Sequence, residues 1–442
     1  MKFVFSVIFF FISSIAVSAQ TAVQPTPSRQ RVVSSQTQMP QPTPVQIFSP
    51  TPAAPRVVVI TENIPLPAPT PAPKPVITPS PTPFSNAAEI KKILNIAPPK
   101  TDYGNLTLGE LRNKISEAKR LMQMRPVPTA MTDSFMITDV VRLAFYDKKT
   151  DRIDFVVLTK AVFLSKDSEI ITTTSNGRAV RVHILRANGV NTAVSIIDDD
   201  NTAHTPLIVQ YPIEKNGVFL EMAYYISTHP GVVTPEVVSA GNLYVRNTIN
   251  IARAKLKQKG IYISPQIADA AERLSTVEHV DHQRFWTENQ PQLYKEIFAL
   301  YALNEGDTYR YSVSSAGAGG MVQMIPWTYN MIRTRFYNVG LIPDFVTGMR
   351  NHQNAAQAML LYMQATWNDL ISNPTIYAAL SDGTASQAEM LAAGYNSNPA
   401  KLAGYINRGG SNWRTLIPRE TKIYLQIYTS LENAVPMTPR AN

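Results

Sequence analysis

The chain has 442 residues, of which 44% are hydrophobic and 17% charged, and this composition excludes a wholly disordered or collagen-like protein. Cysteine is absent, which excludes a disulfide scaffold, a thiolate metal site and a cysteine nucleophile. The net charge of +9 is compatible with nucleic acid, a membrane surface or an acidic polymer as the partner.

The first residues have the pattern of a secretory signal. A mostly apolar run, Phe3 to Val17, follows Lys2 and ends in the small residues Ser18 and Ala19. We therefore predict a signal peptide over residues 1–19 and a secreted bacterial protein, periplasmic or associated with the cell wall. Export makes nucleic acid an unexpected partner. The alternative is an uncleaved membrane anchor, which needs about 20 apolar residues, and the run from Phe3 to Val17 is shorter than that. No later stretch reaches 18 apolar residues, so we expect no membrane span in the mature chain.

Residues 20–85 contain 17 of the 34 prolines and no glycine. Such a composition favours extended polyproline II and cannot bury a core. The sequence therefore predicts a disordered, proline-rich linker that acts as a tether. The alternative is a docking ligand for a partner's aromatic groove.

A short helical segment is predicted over residues 86–129. Thr107 and Glu110 have the spacing of a capping box, in which each side chain accepts a hydrogen bond from a free backbone N–H group. Apolar residues then recur at helical spacing until Pro126.

A β-rich domain is predicted over residues 130–240, and its role is not indicated by any motif. Val180, Val182 and Ile184 alternate with polar residues, and Asn188-Gly189 separates them from another β-rich run. Because Asn-Gly suits a type I′ turn, we predict a hairpin here.

Two clusters of carboxylates, one of them with histidines, are candidate metal sites. Asp198, Asp199 and Asp200 are adjacent, whereas calcium loops space their ligands at alternate positions, so a solvated turn is expected. Glu278 and His282 are four residues apart, which predicts a pair on one helical face rather than a zinc site. The sequence therefore predicts no metal and no other cofactor.

From residue 241 to 442 the apolar pattern is helical. Ser264-Pro265 is typical of a helix start. Further along, an apolar helix ends in the carboxylate of Glu305, and a glycine-rich run from Ser314 to Pro326 follows it. A phosphate-binding loop would need a Gly-Lys-Ser/Thr ending, and this run has no lysine.

Three ordered motifs here resemble those of the soluble lytic transglycosylase family. Glu305 and the run Ser314-Ser315-Ala316-Gly317-Ala318-Gly319-Gly320-Met321-Val322-Gln323-Met324-Ile325-Pro326 resemble its Glu and Ser-x-x-Gly-Ala-x-Gly-Leu-Met-Gln-x-Met-Pro signature. Ala392-Ala393-Gly394-Tyr395-Asn396-Ser397-Asn398-Pro399 and Pro418-Arg419-Glu420-Thr421-Lys422-Ile423-Tyr424 are similar to its two later motifs. The resemblance covers about residues 265–433.

This resemblance implies a mostly α-helical, lysozyme-like domain and an enzyme, a peptidoglycan lytic transglycosylase. The family cleaves the bond between N-acetylmuramic acid (MurNAc) and N-acetylglucosamine (GlcNAc) and leaves 1,6-anhydro-MurNAc ends, so glycan strands of peptidoglycan are the implied partner. Glu305 takes the place of the single catalytic acid, which then acts as a base. The family positions implied to bind the substrate or brace the acid are Ser314, Gln323, Tyr395, Asn396, Glu420 and Tyr424.

The chain also differs from the family, since Gly306 stands where serine usually follows the acid. Two alternatives therefore stay open: a goose-type lysozyme-like hydrolase with Asp307 as second carboxylate, and a non-catalytic peptidoglycan-binding or assembly protein. The expected fold class is α+β multidomain, with a β-rich central domain and then a helical domain, after the proline-rich segment.

Overall fold

The computed structural model describes residues 99–100, 103, 106–125, 136–306, 314 and 316–441. All of them belong to one of the two units into which the chain divides, Pro81–Asn442. The predicted signal peptide and proline-rich linker lie outside the described residues.

Seven strands form one antiparallel sheet in the order β2-β1-β6-β5-β4-β3, and β7 pairs with β6. The long strand β6 is the centre of the sheet because it pairs with β1, β5 and β7 along different parts of its length. The strands are β1 Val140–Asp147, β2 Arg152–Thr159, β3 Glu169–Thr173, β4 Ala179–Arg186, β5 Ala193–Asp198, β6 Ala203–Lys215 and β7 Val218–Tyr225.

Two helices lie before or within the sheet region and the other described helices follow it, so the fold class is α+β, as predicted. In the described part of the chain, no helix is long and apolar enough to cross a membrane. The helices are α1 Leu108–Met124, α2 Lys160–Phe163, α3 Pro235–Gln258, α4 Pro265–Val277, α5 His282–Thr287, α6 Gln290–Leu303, α7 Pro326–Arg335, α8 Phe345–Arg350, α9 His352–Ile371, α10 Pro374–Ser381, α11 Gln387–Asn396, α12 Leu402–Gly409 and α13 Arg419–Ala434.

Local signals in the sequence predict two helix starts correctly. Thr107 and Glu110 form the capping box that opens α1. Ser264 caps α4, with its side chain accepting a hydrogen bond from the backbone N–H of Ile267. Each cap satisfies a donor that the first helical turn leaves free.

The predicted hairpin is confirmed as β4 and β5, but its turn is not type I′. Gly189 has a φ of +51°, whereas Asn188 is not among the residues with positive φ. A type I′ turn needs positive φ at both central residues. The connection instead runs from Ala187 to Thr192, and the Thr192 hydroxyl donates to the carbonyl oxygen of Gly189 at 2.7 Å.

The solvated turn predicted at Asp198 to Asp200 is wrong for its first residue. Asp198 is buried at the end of β5 and forms ion pairs with Arg178 and Lys149. Its backbone and side-chain hydrogen bonds, among them one with His204, hold its pKa well below the usual range despite burial. Asp200 is exposed and pairs with Lys149 at 2.6 Å.

The sheet and the helices share one core. Buried side chains of β1, β4 and β6 belong to the same cluster as those of α3, α4, α6 and α9. A polar joint reinforces it: the Asn304 amide donates to Ile226 O at 2.8 Å and accepts from Ile226 N at 2.9 Å. Helix α1 packs on the sheet through Leu111, Ile115 and Met122. These contacts fix the sheet against the helical part of the structure, in which the three motifs lie.

Candidate active site

Glu305 lies apart from the other predicted site residues. Its side chain is 51% exposed and forms an ion pair with Arg112 of α1. It lines a cavity with Tyr244 and His352, and none of the other six predicted site residues lines that cavity. The neighbouring Gly306 has a φ of +76°, which suits glycine, and its N–H donates to the Tyr244 hydroxyl. Asp307, the second carboxylate of the hydrolase alternative, lies outside the described residues.

Ser314 has a structural contact within the glycine-rich run. Its hydroxyl oxygen accepts a hydrogen bond from Ala318 N at 3.0 Å, and its carbonyl accepts one from Gly317 N at 2.9 Å. Ser314 therefore shapes the turn that leads into the motif.

The end of the glycine-rich run is held from two sides. The Tyr395 hydroxyl donates to Val322 O at 2.7 Å. His279 Nε2 lies 3.0 Å from Met321 O, and because burial lowers the pKa of His279 to about 3, the ring is neutral and donates from this nitrogen. Directly after these anchors Gln323 adopts a φ of +46°, and its amide donates to Gly320 O at 2.9 Å. These hydrogen bonds hold the loop beside a second carboxylate, different from Glu305.

That carboxylate is Glu278, which the sequence analysis did not select. The predicted Glu278–His282 pair on one helical face is wrong, because α4 ends at Val277 and α5 begins at His282. Glu278 is the C-terminal cap of α4, and its side chain is directed into the protein, where the Tyr424 hydroxyl donates to its Oε1 at 2.6 Å.

The Glu278 carboxyl has the pKa of a proton donor at neutral pH. The side chain is enclosed by protein on nearly all sides while the residue keeps some surface open to a cavity. Burial raises its pKa to about 8, the Tyr424 hydrogen bond lowers it, and the charge of Glu420 raises it further. Burial also raises the pKa of Tyr424 and Tyr395 well above the usual range, so both remain neutral donors.

The three motifs therefore meet around Glu278. Gln323 comes from the glycine-rich run, Tyr395 from α11, and Tyr424 and Glu420 from α13. Asn396 accepts a hydrogen bond from the Thr421 hydroxyl at 2.8 Å, which ties α11 to α13 behind the site. Apart from Glu305 and Ser314, the predicted site residues thus contact or brace one place.

A cavity of about 750 Å³ gives access to this place, and Glu278, His279 and Gln323 line it. The other carboxylates that line it are Asp281, Glu288 and Glu296. Asp281 caps α5 by accepting from Arg284 N, while Glu288 and Glu296 are each paired with the Arg284 guanidinium at 2.7 Å. Within the described part of the lining, Glu278 is therefore the carboxylic acid with a raised pKa and no basic partner.

The sequence held one signal for Glu278. The apolar stripe of α4 ends at Val277, so Glu278 is a carboxylate at the end of an apolar helix. Glu305 has a similar position shortly after the end of α6. The two candidates share the same local pattern. The folded chain separates them, because Tyr424 donates to Glu278 whereas Glu305 is half exposed and paired with Arg112.

No protein-family model, no curated protein and no solved structure matches this chain.

Proposed function

We propose that this protein is a peptidoglycan lytic transglycosylase in which Glu278, not Glu305, is the catalytic acid and base. The helical part would then be a lysozyme-like domain. The observation that carries the proposal is the position of Glu278: a carboxylic acid with its pKa raised to about 8 lies beside the residues of all three family motifs.

In the first step Glu278 donates its proton to the oxygen of the bond between MurNAc and GlcNAc, and that bond breaks. A pKa of about 8 keeps the carboxyl protonated at neutral pH, as this step requires. Glu278 is now a carboxylate with the Tyr424 hydroxyl donating to it.

In the second step the Glu278 carboxylate removes the proton from the MurNAc C6 hydroxyl. The C6 oxygen attacks C1 of the same sugar, which closes the 1,6-anhydro ring and returns the proton to Glu278. The nucleophile is part of the substrate, so a second carboxylate to activate water is not needed, in contrast to most glycoside hydrolases.

The carboxylates around the cavity favour this reaction over hydrolysis. Glu288 and Glu296 are held by Arg284, and Asp281 is held as a helix cap. An inverting hydrolase would need one of them as a base for water.

Mass spectrometry of digested peptidoglycan tests the proposal. We expect products with 1,6-anhydro-MurNAc ends from the wild-type protein and from Asp281→Asn. Reducing MurNAc ends would show a hydrolase, and collapse of activity in Asp281→Asn would identify its second carboxylate. Absence of any product would support the binding-protein alternative and overturn the proposal.

A further inference from the structure

The cavity that contains Glu278 has a second set of lining residues, which comes from the sheet. Besides the helical residues, the end of β4 contributes Arg186, and the connection from β4 to β5 contributes Asn188 and Asn191. Lys166 adds a basic side chain from the segment before β3. We call Lys166, Arg186, Asn188 and Asn191 the sheet wall. The family resemblance does not extend to these residues, so their chemistry is specific to this chain.

The sheet wall is built as a fixed surface. Asn188 N donates to Thr192 Oγ1 at 3.0 Å and Asn191 N donates to Asn188 O at 2.9 Å, which closes the connection on itself. The Arg186 guanidinium donates to Thr228 Oγ1 at 2.7 Å and pairs with Glu296 of α6 at 3.3 Å. Because the connection is closed on itself and Arg186 is attached to a helix of the same cavity, this part of the wall is preformed.

The basic side chains of the lining differ in how they are paired. Arg284 binds Glu288 and Glu296, and Arg186 binds Glu296. Lys166 has only a 4.0 Å contact with its sequence neighbour Asp167, and both side chains are 72% exposed. Among the described residues that line the cavity, Lys166 is therefore the basic group best able to take a carboxylate from a ligand. Asn188, which lines the same cavity, is exposed, and an amide of this kind pairs with peptide groups.

The glycan backbone of peptidoglycan, where it carries stem peptides, offers no anionic group for the Lys166 ammonium to bind. Its N-acetyl sugars are neutral, and the lactyl carboxyl of MurNAc is converted to an amide where a stem peptide is attached. The negative charges of the polymer are then the free carboxylates of those peptides. The positive charge of Lys166, in the same cavity as the proposed acid Glu278, is therefore complementary to the carboxylates of a glycan that still carries its stem peptides.

We propose that the sheet wall is a subsite for the stem peptide of the substrate, with Lys166 binding a peptide carboxylate and Asn188 a peptide amide. This inference rests on the proposed function and adds the substrate class to it: peptide-bearing rather than peptide-free glycan.

The test measures binding in a Glu278→Gln background, so that turnover does not interfere. The probes are a MurNAc-GlcNAc tetrasaccharide with stem peptides and the same tetrasaccharide with each lactyl carboxyl capped as a methylamide, because simple removal of the peptides would restore a lactyl carboxylate. We expect the peptide-bearing probe to bind roughly fivefold more tightly, near the upper end of what one exposed ion pair contributes, and added salt to reduce the difference. Lys166→Glu should abolish the difference. Lys215→Glu, the same charge change at an exposed position of β6 outside the cavity, should keep it.

Equal binding of both probes, no binding of either, or a difference that survives in Lys166→Glu overturns the inference. The proposed function fails independently, if the wild-type protein releases no anhydro product from peptide-free or peptide-bearing glycan. Cleavage of both glycans together with equal binding would leave the proposed function standing and remove the peptide subsite.

Discussion

The Tyr424 hydroxyl donates a hydrogen bond to Glu278 Oε1 at 2.6 Å, which joins residues 146 positions apart in the chain. Tyr424 belongs to the last of the three motifs and Glu278 to none of them. The contact therefore assigns the motif residues to a different carboxylate from the one that precedes the glycine-rich run. It also opposes the effect of burial on the pKa of Glu278, since a hydroxyl donor stabilises the ionised carboxylate that burial destabilises.

Removing this hydrogen bond should shift the pH dependence of the reaction. The bond lowers the pKa of Glu278, so in Tyr424→Phe the carboxyl should hold its proton to a higher pH. We expect the alkaline limb of the pH–rate profile, near pH 8 in the wild type, to move up by about one unit, the equivalent of roughly 1.4 kcal/mol. Tyr428→Phe, one turn further along α13, is the control. An alkaline limb that moves down or stays in place in Tyr424→Phe would contradict the pKa assignment.

Glu278 should also make the stability of the protein depend on pH. Between a pKa near 4.5 in the unfolded chain and about 8 in the folded one, the folded state binds more protons, so the free energy of unfolding falls as the pH rises. Glu278→Gln carries no such proton. It should be more stable than wild type by roughly 2–3 kcal/mol at pH 7 and nearly equal to it at pH 4.

Melting temperatures measured from pH 4 to pH 8 check this expectation. Glu305→Gln serves as the control, because that side chain is half exposed and paired with Arg112 at the surface. Curves for Glu278→Gln and wild type that run parallel across this range would show that Glu278 does not titrate as the structure indicates.

Tyr395 should position the loop without moving the proton. Its hydroxyl fixes Val322 O next to Gln323, so Tyr395→Phe should let the loop shift and lower kcat by about tenfold. The alkaline limb should stay in place, because the proton belongs to Glu278. Tyr262→Phe, at an exposed position, should behave as wild type. A shift of the limb by a full unit in Tyr395→Phe would show that Tyr395 acts on the acid itself.

The joint between sheet and helices should matter for stability. Asn304→Ala removes both hydrogen bonds to Ile226 and leaves buried backbone groups without partners. We expect a loss of about 2–3 kcal/mol in the free energy of unfolding, measured with urea. The exposed Asn433→Ala should lose less than about 0.5 kcal/mol. Equal losses in the two variants would mean that the joint is not a main attachment of the sheet.

Local features of the fold could be read from the sequence, and longer-range ones could not. The caps at Thr107 and Ser264 depend on neighbouring residues and were predicted. Strand β6 was not, since Pro206 and Pro212 argue against a strand. Pro206 pairs with Phe145 where the register with β1 shifts, and Pro212 lies past the last β1 partner, Gln210, so the strand accommodates both prolines.

The motif residues could also be found from neighbouring residues in the sequence, whereas the proposed acid, Glu278, could not. Gln323, Tyr395 and Tyr424 could be selected from contiguous motifs. Glu278 is separated from the glycine-rich run by α5 and α6, so its proximity to that run is a property of the tertiary packing. Glu305, the carboxylate at the family position before the run, satisfied the local pattern while lying in another cavity.

The central claim is that Glu278 moves the proton, and a matched pair of variants tests it most directly. Release of 1,6-anhydro-MurNAc products from peptidoglycan is measured for Glu278→Gln and Glu305→Gln, with the folded state of each verified by its melting temperature. Glutamine is nearly isosteric with glutamate but delivers no proton. We predict that Glu278→Gln loses at least about a thousandfold in product release, while Glu305→Gln stays within about threefold of wild type. Wild-type turnover in a folded Glu278→Gln, or loss of activity in Glu305→Gln alone, would contradict the account.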